Sequence, residues 1–162
     1  MSNFNKVTKF NLSFGLPAYQ QPQKEIFTQN KKLCKLRLDL ILEEVKELQE
    51  AMDNHDMIET TDALADILYV VYGAASSFGI DIDKAFDIVH KSNMSKLCVT
   101  EEEAKNTVKW YKNKFELGEQ PYDTPNYRKS NDNKYWVVYN ESTGKILKSI
   151  NYTPANFSSI LG

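Results

Sequence analysis

The 162 residues are about one domain's length on the usual scale of ~100–200 residues per domain. A composition of 41% hydrophobic and 26% charged residues excludes a disordered or collagen-like chain. The longest apolar stretch, Ala63 to Phe78, is interrupted by Asp66, two serines and two tyrosines, so no membrane span is expected there. The first residues hold no apolar core of signal-peptide length. Cys34 and Cys98 make neither a metal-ligand pair nor a disulfide framework, and the expectation is a cytoplasmic protein.

The net charge of −2 is a sum over unlike parts. Residues 1–35 carry +5, 36–66 carry −8, 67–103 carry −3 and 104–162 carry +4. Ten of the 22 acids fall in the second window, which raises the question of what that window binds.

In chain order, residues 1–26 read as an arm, with Phe10, Leu12, Phe14 and Leu16 alternating before Gly15, Pro17 and Pro22 break the pattern. Leu33, Leu36, Ile41, Val45, Leu48 and Met52 recur at helical spacing and predict a helix from about Phe27 to Met52, ended by a turn at Asp53–Asp56. A second helix, Ile58 to Phe78, is apolar around nearly its whole circumference, the mark of a buried helix, and Gly79 closes it. Asp81 or Asp83 can cap a third helix running to about Asn93, with Ile82, Phe86 and Val89 on its inner face. Thr100 and Glu103 have the spacing of a capping box and predict a fourth helix ending before Gly118. Beyond it, the β-rich runs Tyr135–Tyr139 and Lys145–Asn151 flank Glu141–Gly144 as a hairpin would. The expected fold is all-α: one domain with an arm (1–26), a helical core (27–117) and a tail with a small C-terminal β-hairpin (118–162).

At roughly 100° per helical residue, Glu43, Glu44 and Glu47 border the apolar stripe of the first long helix. On the next helix Asp62 and Asp66 are i and i+4, with Glu59 within roughly 60° of both. Such a run can be an ordinary solvated face paired with lysines. Asp66 argues otherwise, because it sits among Leu64, Ile67, Leu68 and Val70, where an unpaired buried carboxylate costs several kcal/mol. Gathered carboxylates repel one another, and a divalent cation relieves the repulsion. With only two histidines and no paired cysteines, the donor set suits Mg²⁺ or Mn²⁺ rather than zinc, and Mg²⁺ sites commonly complete their shell with substrate phosphates. Among residues 90–96, Lys91 and Lys96 are candidates for phosphate oxygens and Asn93 for a base edge or ribose; by itself the run also reads as helix-end charges, with His90 packed or capping.

These residues resemble a known family. Glu43-Glu44-Val45-Lys46-Glu47 is similar to the EExxE motif of the all-α nucleoside triphosphate pyrophosphohydrolases, which include MazG, the dimeric dUTPases and phosphoribosyl-ATP pyrophosphohydrolase. Asp62 to Gly73 resembles their second motif. Phe14-Gly15-Leu16-Pro17, the run His90 to Lys96 and Gly144-Lys145-Ile146-Leu147-Lys148 resemble elements of the Cof-like, phosphoribosyl-ATP pyrophosphohydrolase-like branch. One position departs: the second motif is ExxD, and with Asp66 as its Asp, Ala63 stands at the Glu position. Either Asp62 replaces that ligand or Glu59-Thr60-Thr61-Asp62 is the motif moved by a turn; the run Asp66-Ile67-Leu68-Tyr69-Val70 favours the pair Asp62 and Asp66.

The resemblance implies a MazG-like bundle that cleaves a nucleoside triphosphate between its α and β phosphates with Mg²⁺. It implies Glu44, Glu47, Asp62 and Asp66 as metal ligands, and Glu43 as a further ligand or the group that deprotonates the attacking water. Lys91, Asn93 and Lys96 would hold the nucleotide, with Tyr69 near the pocket and Lys145 and Lys148 within possible reach of phosphate. A homodimer or homotetramer is implied as well. The rival reading is a nucleotide- or metal-binding regulatory module with little turnover, which Ala63 allows. A nucleic-acid contact by the lysine- and tyrosine-rich tail has thin support at +4 over 59 residues, and neither nucleic acid nor membrane is expected as a partner.

Overall fold

A computed structural model describes residues 1–162. Seven helices and two strands follow in the order α1 Asn3–Ser13, α2 Ile26–Gln29, α3 Lys31–Asp53, α4 Met57–Phe78, α5 Ile82–Met94, α6 Glu101–Glu116, β1 Pro125–Lys129, β2 Trp136–Asn140 and α7 Ser158–Leu161. The chain divides into two compact units, Met1–Phe86 with Phe157–Gly162, and Asp87–Asn156. No single helix is long and apolar enough to cross a membrane.

Side chains that accept from free amides set most of the helix starts. Asn30 accepts from Leu33 N at 3.1 Å at the head of α3. Asp56 accepts from Ile58 N and Glu59 N at 2.9 and 3.0 Å at the head of α4, and Asp81 from Lys84 N at 3.2 Å at the head of α5. Thr100 accepts from Glu103 N at 3.1 Å, while Glu103 reaches back to Val99 N at 3.0 Å, one residue earlier than a standard capping box. Gly79 ends α4 in the left-handed conformation, φ 72°.

In the first unit α3 and α4 pack along their length from the turn at Asn54–Asp56. The C-terminal half of α4 is a run of small buried residues, Gly73 to Ser77, and this lets neighbours come close. Arg37 Nε of α3 donates to Ser77 Oγ at 3.0 Å. From α1, Asn11 Nδ2 donates to the Gly73 carbonyl at 3.3 Å and Thr8 Oγ1 lies 3.1 Å from Ser76 Oγ. Residues 14–25 lie along the end of α4, with Ser77 Oγ donating to Pro17 O, Tyr19 N to Ser76 O and Gln23 N to Phe78 O.

The second unit packs α6 against the hairpin around Cys98, Ala104, Val108, Tyr111, Val138 and Leu147. Strands β1 and β2 are antiparallel, with Pro125 opposite Asn140 and Lys129 opposite Trp136. The other edge of β2 takes single bridges, Cys98 to Trp136 and Tyr139 to Ile146.

Five sequence expectations change. Residues 3–13 of the arm are helical, because Val7 and Asn11 form a buried i,i+4 pair and Ser2 caps the first turn. The helix expected from Phe27 breaks at Asn30, whose side chain caps α3 instead of continuing α2. The hairpin is β1–β2, turning at Ser130–Tyr135 with Asn133 left-handed, whereas residues 145–151 give β2 only the Ile146 bridge before their backbone turns to Lys96. α4 is not buried all round: Met57, Ile58, Leu64 and Leu68 are exposed in the single chain. On α5 it is Ala85 and Ser92 that are buried, while Phe86 and Val89 are exposed.

A Cβ at residue 79 would lie 1.9 Å from the Gln21 carbonyl oxygen, on top of the ordinary penalty for a positive φ. Gly79→Ala should therefore destabilise the fold by about 2–4 kcal/mol. Gly144→Ala, at φ +70° with nothing within 4 Å, should cost only the conformational ~1–2 kcal/mol. Chemical denaturation of both variants checks the ordering.

Candidate metal centre

Glu43, Glu44 and Glu47 come from the middle of α3, and Asp62 and Asp66 from the first half of α4. Helical spacing places Glu44 seven residues, or two turns, beyond Arg37 on the face that packs against α4. It is half-buried, and its Oε2 is shut off from solvent without a hydrogen-bond partner. Burial pushes the Glu44 carboxyl above the ordinary glutamate range, and the negative charges of Glu47, Asp66, Glu43 and Asp62 push it in the same direction. Four carboxylates from two helices thus act on a fifth.

The other four lie in the open. Glu43, Glu47, Asp62 and Asp66 are exposed. Asp66, expected to lie buried among leucines, is exposed because the side of α4 bearing Leu64, Leu68 and Tyr69 is itself open in the single chain. The carboxylate with the desolvation problem is Glu44. Ala63, at the motif's Glu position, is buried at 4% exposure. Glu59 does not figure among the charges that raise Glu44; with Asp62 it lines a shallow hollow of about 560 Å³ over the first turns of α4.

No three His, Cys, Asp or Glu side chains are gathered closely enough here to cage a metal ion. The chemistry of the donors nonetheless fits a hard divalent cation, since an orphaned carboxylate oxygen and a pKa raised by four like charges are both relieved by one.

Tyr69 is exposed and meets Phe10 edge to face at 5.6 Å between ring centroids. Lys91, Asn93 and Lys96 belong to the second unit. Lys91 and Asn93 are exposed and Lys96 is half-buried, and His90, expected to pack or cap, is exposed as well. The run does not act as one surface. Lys91 lines a hollow of about 430 Å³ with Ser92, Ser95 and Thr153, whereas Lys96 lines another with Lys145 and Lys148. Ser92 is buried and donates to the Thr153 carbonyl at 2.8 Å, so its place in the run is structural.

Arg37 belongs to none of the motifs in the sequence. It is 6% exposed, bonded to a hydroxyl and to no carboxylate, and burial pulls its guanidinium pKa down. Its spacing from Leu33 and Glu44, i−4 and i+7, puts all three on one helix face and is the signal that marks it as inward-facing.

Folding favours the protonated form of Glu44, so its contribution to stability is present at and below the ordinary glutamate range, ~4.3, and is lost as pH rises through the raised value. In metal-free protein, Glu44→Gln should gain thermal stability relative to the parent over that interval and keep the gain at neutral pH. Millimolar Mg²⁺ should raise the melting temperature of the parent and leave the variant unmoved. Paired melting curves from pH 4 to 8 with and without Mg²⁺ check both.

The model of the phosphoribosyl-ATP pyrophosphohydrolase family matches residues 7–93, just over half of the chain and all five carboxylates. An uncharacterized protein of Acanthamoeba polyphaga mimivirus is 32% identical over 243 aligned positions, covering 99% of this chain and 96% of the relative. The alignment is longer than the 162-residue chain, so the relative carries inserted residues. The chain belongs to the phosphoribosyl-ATP pyrophosphohydrolase family, within the MazG-like all-α nucleoside triphosphate pyrophosphohydrolase superfamily.

Proposed function

We propose that this chain, a hydrolase of the pyrophosphohydrolase type by family, cleaves nucleoside or deoxynucleoside triphosphates between the α and β phosphates, releasing the monophosphate and pyrophosphate. The observation that carries the reading is Glu44: a half-buried carboxyl with an orphaned oxygen, crowded by four other carboxylates from two helices. That arrangement is costly for a bare fold and useful for holding a cation against phosphate oxygens.

Glu44, Glu47, Asp62 and Asp66 would hold Mg²⁺, with Mn²⁺ as a substitute. An ion held there would lower the pKa of a bound water and offset charge on the leaving pyrophosphate. Glu43, exposed beside them, orients that water and takes its proton. The family resemblance would put Lys91, Asn93 and Lys96 on the nucleotide, although Lys91 and Lys96 line separate hollows of the second unit. Glu47→Ala and Asp66→Ala remove exposed carboxylates and should leave a folded protein with at least a hundredfold less pyrophosphate release. Incubation with a panel of (d)NTPs and Mg²⁺, scored for pyrophosphate, provides the measurement, and full activity in either variant refutes the assignment.

Ala63 at the motif's Glu position, together with side chains not gathered into a cage, favours a second reading, a nucleotide-binding regulatory module with little turnover. The same panel separates the two: binding without pyrophosphate release by the parent chain supports the module.

Self-association is part of the proposal. Leu42, Val45, Leu64 and Leu68 leave apolar surface on α3 and α4 exposed, and a second copy of the chain would cover it in a homodimer or homotetramer. Leu64→Glu with Leu68→Glu should lower the mass measured by sedimentation equilibrium to that of one chain.

A further inference from the structure

Three exposed aromatic rings meet in the first unit, one helical turn from the carboxylates. Tyr69 follows Asp66 on α4 by three residues, so the two side chains are neighbours on one face of the helix. The Tyr69 ring meets Phe10 of α1 edge to face, with 5.6 Å between centroids and 86° between planes. Phe10 in turn lies against Phe14, with centroids 4.3 Å apart and planes tilted by only 31°. Phe10, Phe14 and Tyr69 are 38%, 68% and 41% exposed, so the row is not core packing.

The direction of α1 aims this row at the acidic half of α4. Thr8 of α1 meets Ser76 of α4 and Asn11 meets Gly73, so the helices run antiparallel and the end of α1 that carries Phe14 points along α4 toward Asp66. The same two contacts dispose of polar groups. Thr8 Oγ1 lies 3.1 Å from Ser76 Oγ, and Asn11, 1% exposed, spends its amide on the Gly73 carbonyl at 3.3 Å. The polar side chains that α1 turns toward α4 are thus bonded within the fold, and what it leaves beside the carboxylates is ring surface. Rings recognise a flat heterocycle by its face, which every base has, and not by the donors and acceptors on its edge. A two-ring base covers more of such a surface than a one-ring base.

We infer that Phe10, Phe14 and Tyr69 are the base platform of the carboxylate site, and that it selects purine nucleoside triphosphates with little regard to the groups on the purine edge. The inference rests on the functional reading above for the triphosphate. It adds which bases the site takes and the physical means of selection: adenine, guanine and hypoxanthine are admitted alike, and cytosine and uracil are disfavoured.

The test is calorimetric titration of the full chain in Mg²⁺ with the non-hydrolysable α,β-methylene triphosphates of adenosine, guanosine, inosine, cytidine and uridine, beside pyrophosphate release from the natural triphosphates. The three purine analogues should bind within about threefold of one another and at least about fivefold more tightly than the two pyrimidine analogues. Phe14→Leu, at a mostly exposed position, should weaken the purine analogues at least ~fivefold and bring them level with the pyrimidines. Phe14→Tyr, which keeps the ring, should bind as the parent does. With the natural substrates the same loss should appear in KM, with kcat unaltered. A preference of about tenfold or more for one purine, the mark of edge readout, overturns the proposal. So does tighter binding of pyrimidines, or parent-like purine binding by Phe14→Leu. A fall in sedimentation mass to one chain in Phe14→Leu overturns it as well, since the rings then face a second copy. Pyrophosphate release that Phe14→Leu does not affect leaves the catalytic reading standing without the platform, and purine-selective binding without release does the reverse. Absence of binding by every analogue, with no release, overturns both.

Discussion

The first unit depends on how closely α4 lets its neighbours approach. Gly73 to Ser77 offer hydrogens, methyls and hydroxyls where larger side chains would hold helices apart, and an added Cβ at residue 73 would come within 3.2 Å of the Arg37 guanidinium. Arg37 bonded to Ser77 then pins the register of α3 against α4. Seven residues on from Arg37, ~10 Å along α3, is Glu44, and eleven back from Ser77, ~16 Å along α4, is Asp66, so one contact at the base of the helix pair sets which carboxylates come together further along. Packing at one end of the pair decides electrostatics at the other.

That electrostatic arrangement is uneven in a useful way. Four carboxylates are left in water, where repulsion is screened and torsions are free. The fifth, Glu44, is anchored between the helices with an oxygen that nothing in the chain satisfies. In the proposed reading Glu44 is the inner donor to the cation and the exposed carboxylates are the outer ones. The near-neutral charge of the whole chain conceals this, because the −8 of residues 36–66 is offset by lysines at both ends of the sequence.

Local chemistry made much of the fold legible. Asp56, Gly79, Asp81 and Thr100 each occupy the capping position that their residue type favours, and the long helices begin and end within about a residue or two of them. What could not be read was tertiary. The apolar residues of α4 signalled burial, but which of its faces is covered depends on α1 and α3, and Asn11, Thr8 and Arg37 claim the small-residue face while the leucines stay outside. The carboxylate positions followed from helical periodicity, whereas the identity of the desolvated one did not: Asp66 has apolar neighbours in sequence, but it is Glu44 whose oxygen the packing shuts off from solvent. Strand pairing failed for a related reason. A Glu141–Gly144 turn is a sound local signal, yet the longer ladder forms across Ser130–Tyr135, where Tyr127 and Trp136 also meet edge to face.

The stretch from Phe14 to Glu25, rich in proline and glutamine and without regular structure, would ordinarily be a place for proteases to enter. Here the amides of Tyr19 and Gln23 are spent on the last carbonyls of α4, and the Pro17 carbonyl receives the Ser77 hydroxyl. Those carbonyls belong to the orphan set that every helix leaves at its C-terminus. The extended chain is therefore the cap of the central helix, and amide exchange at Tyr19 and Gln23 reports on the opening of its last turn rather than on the fluctuations of a loop.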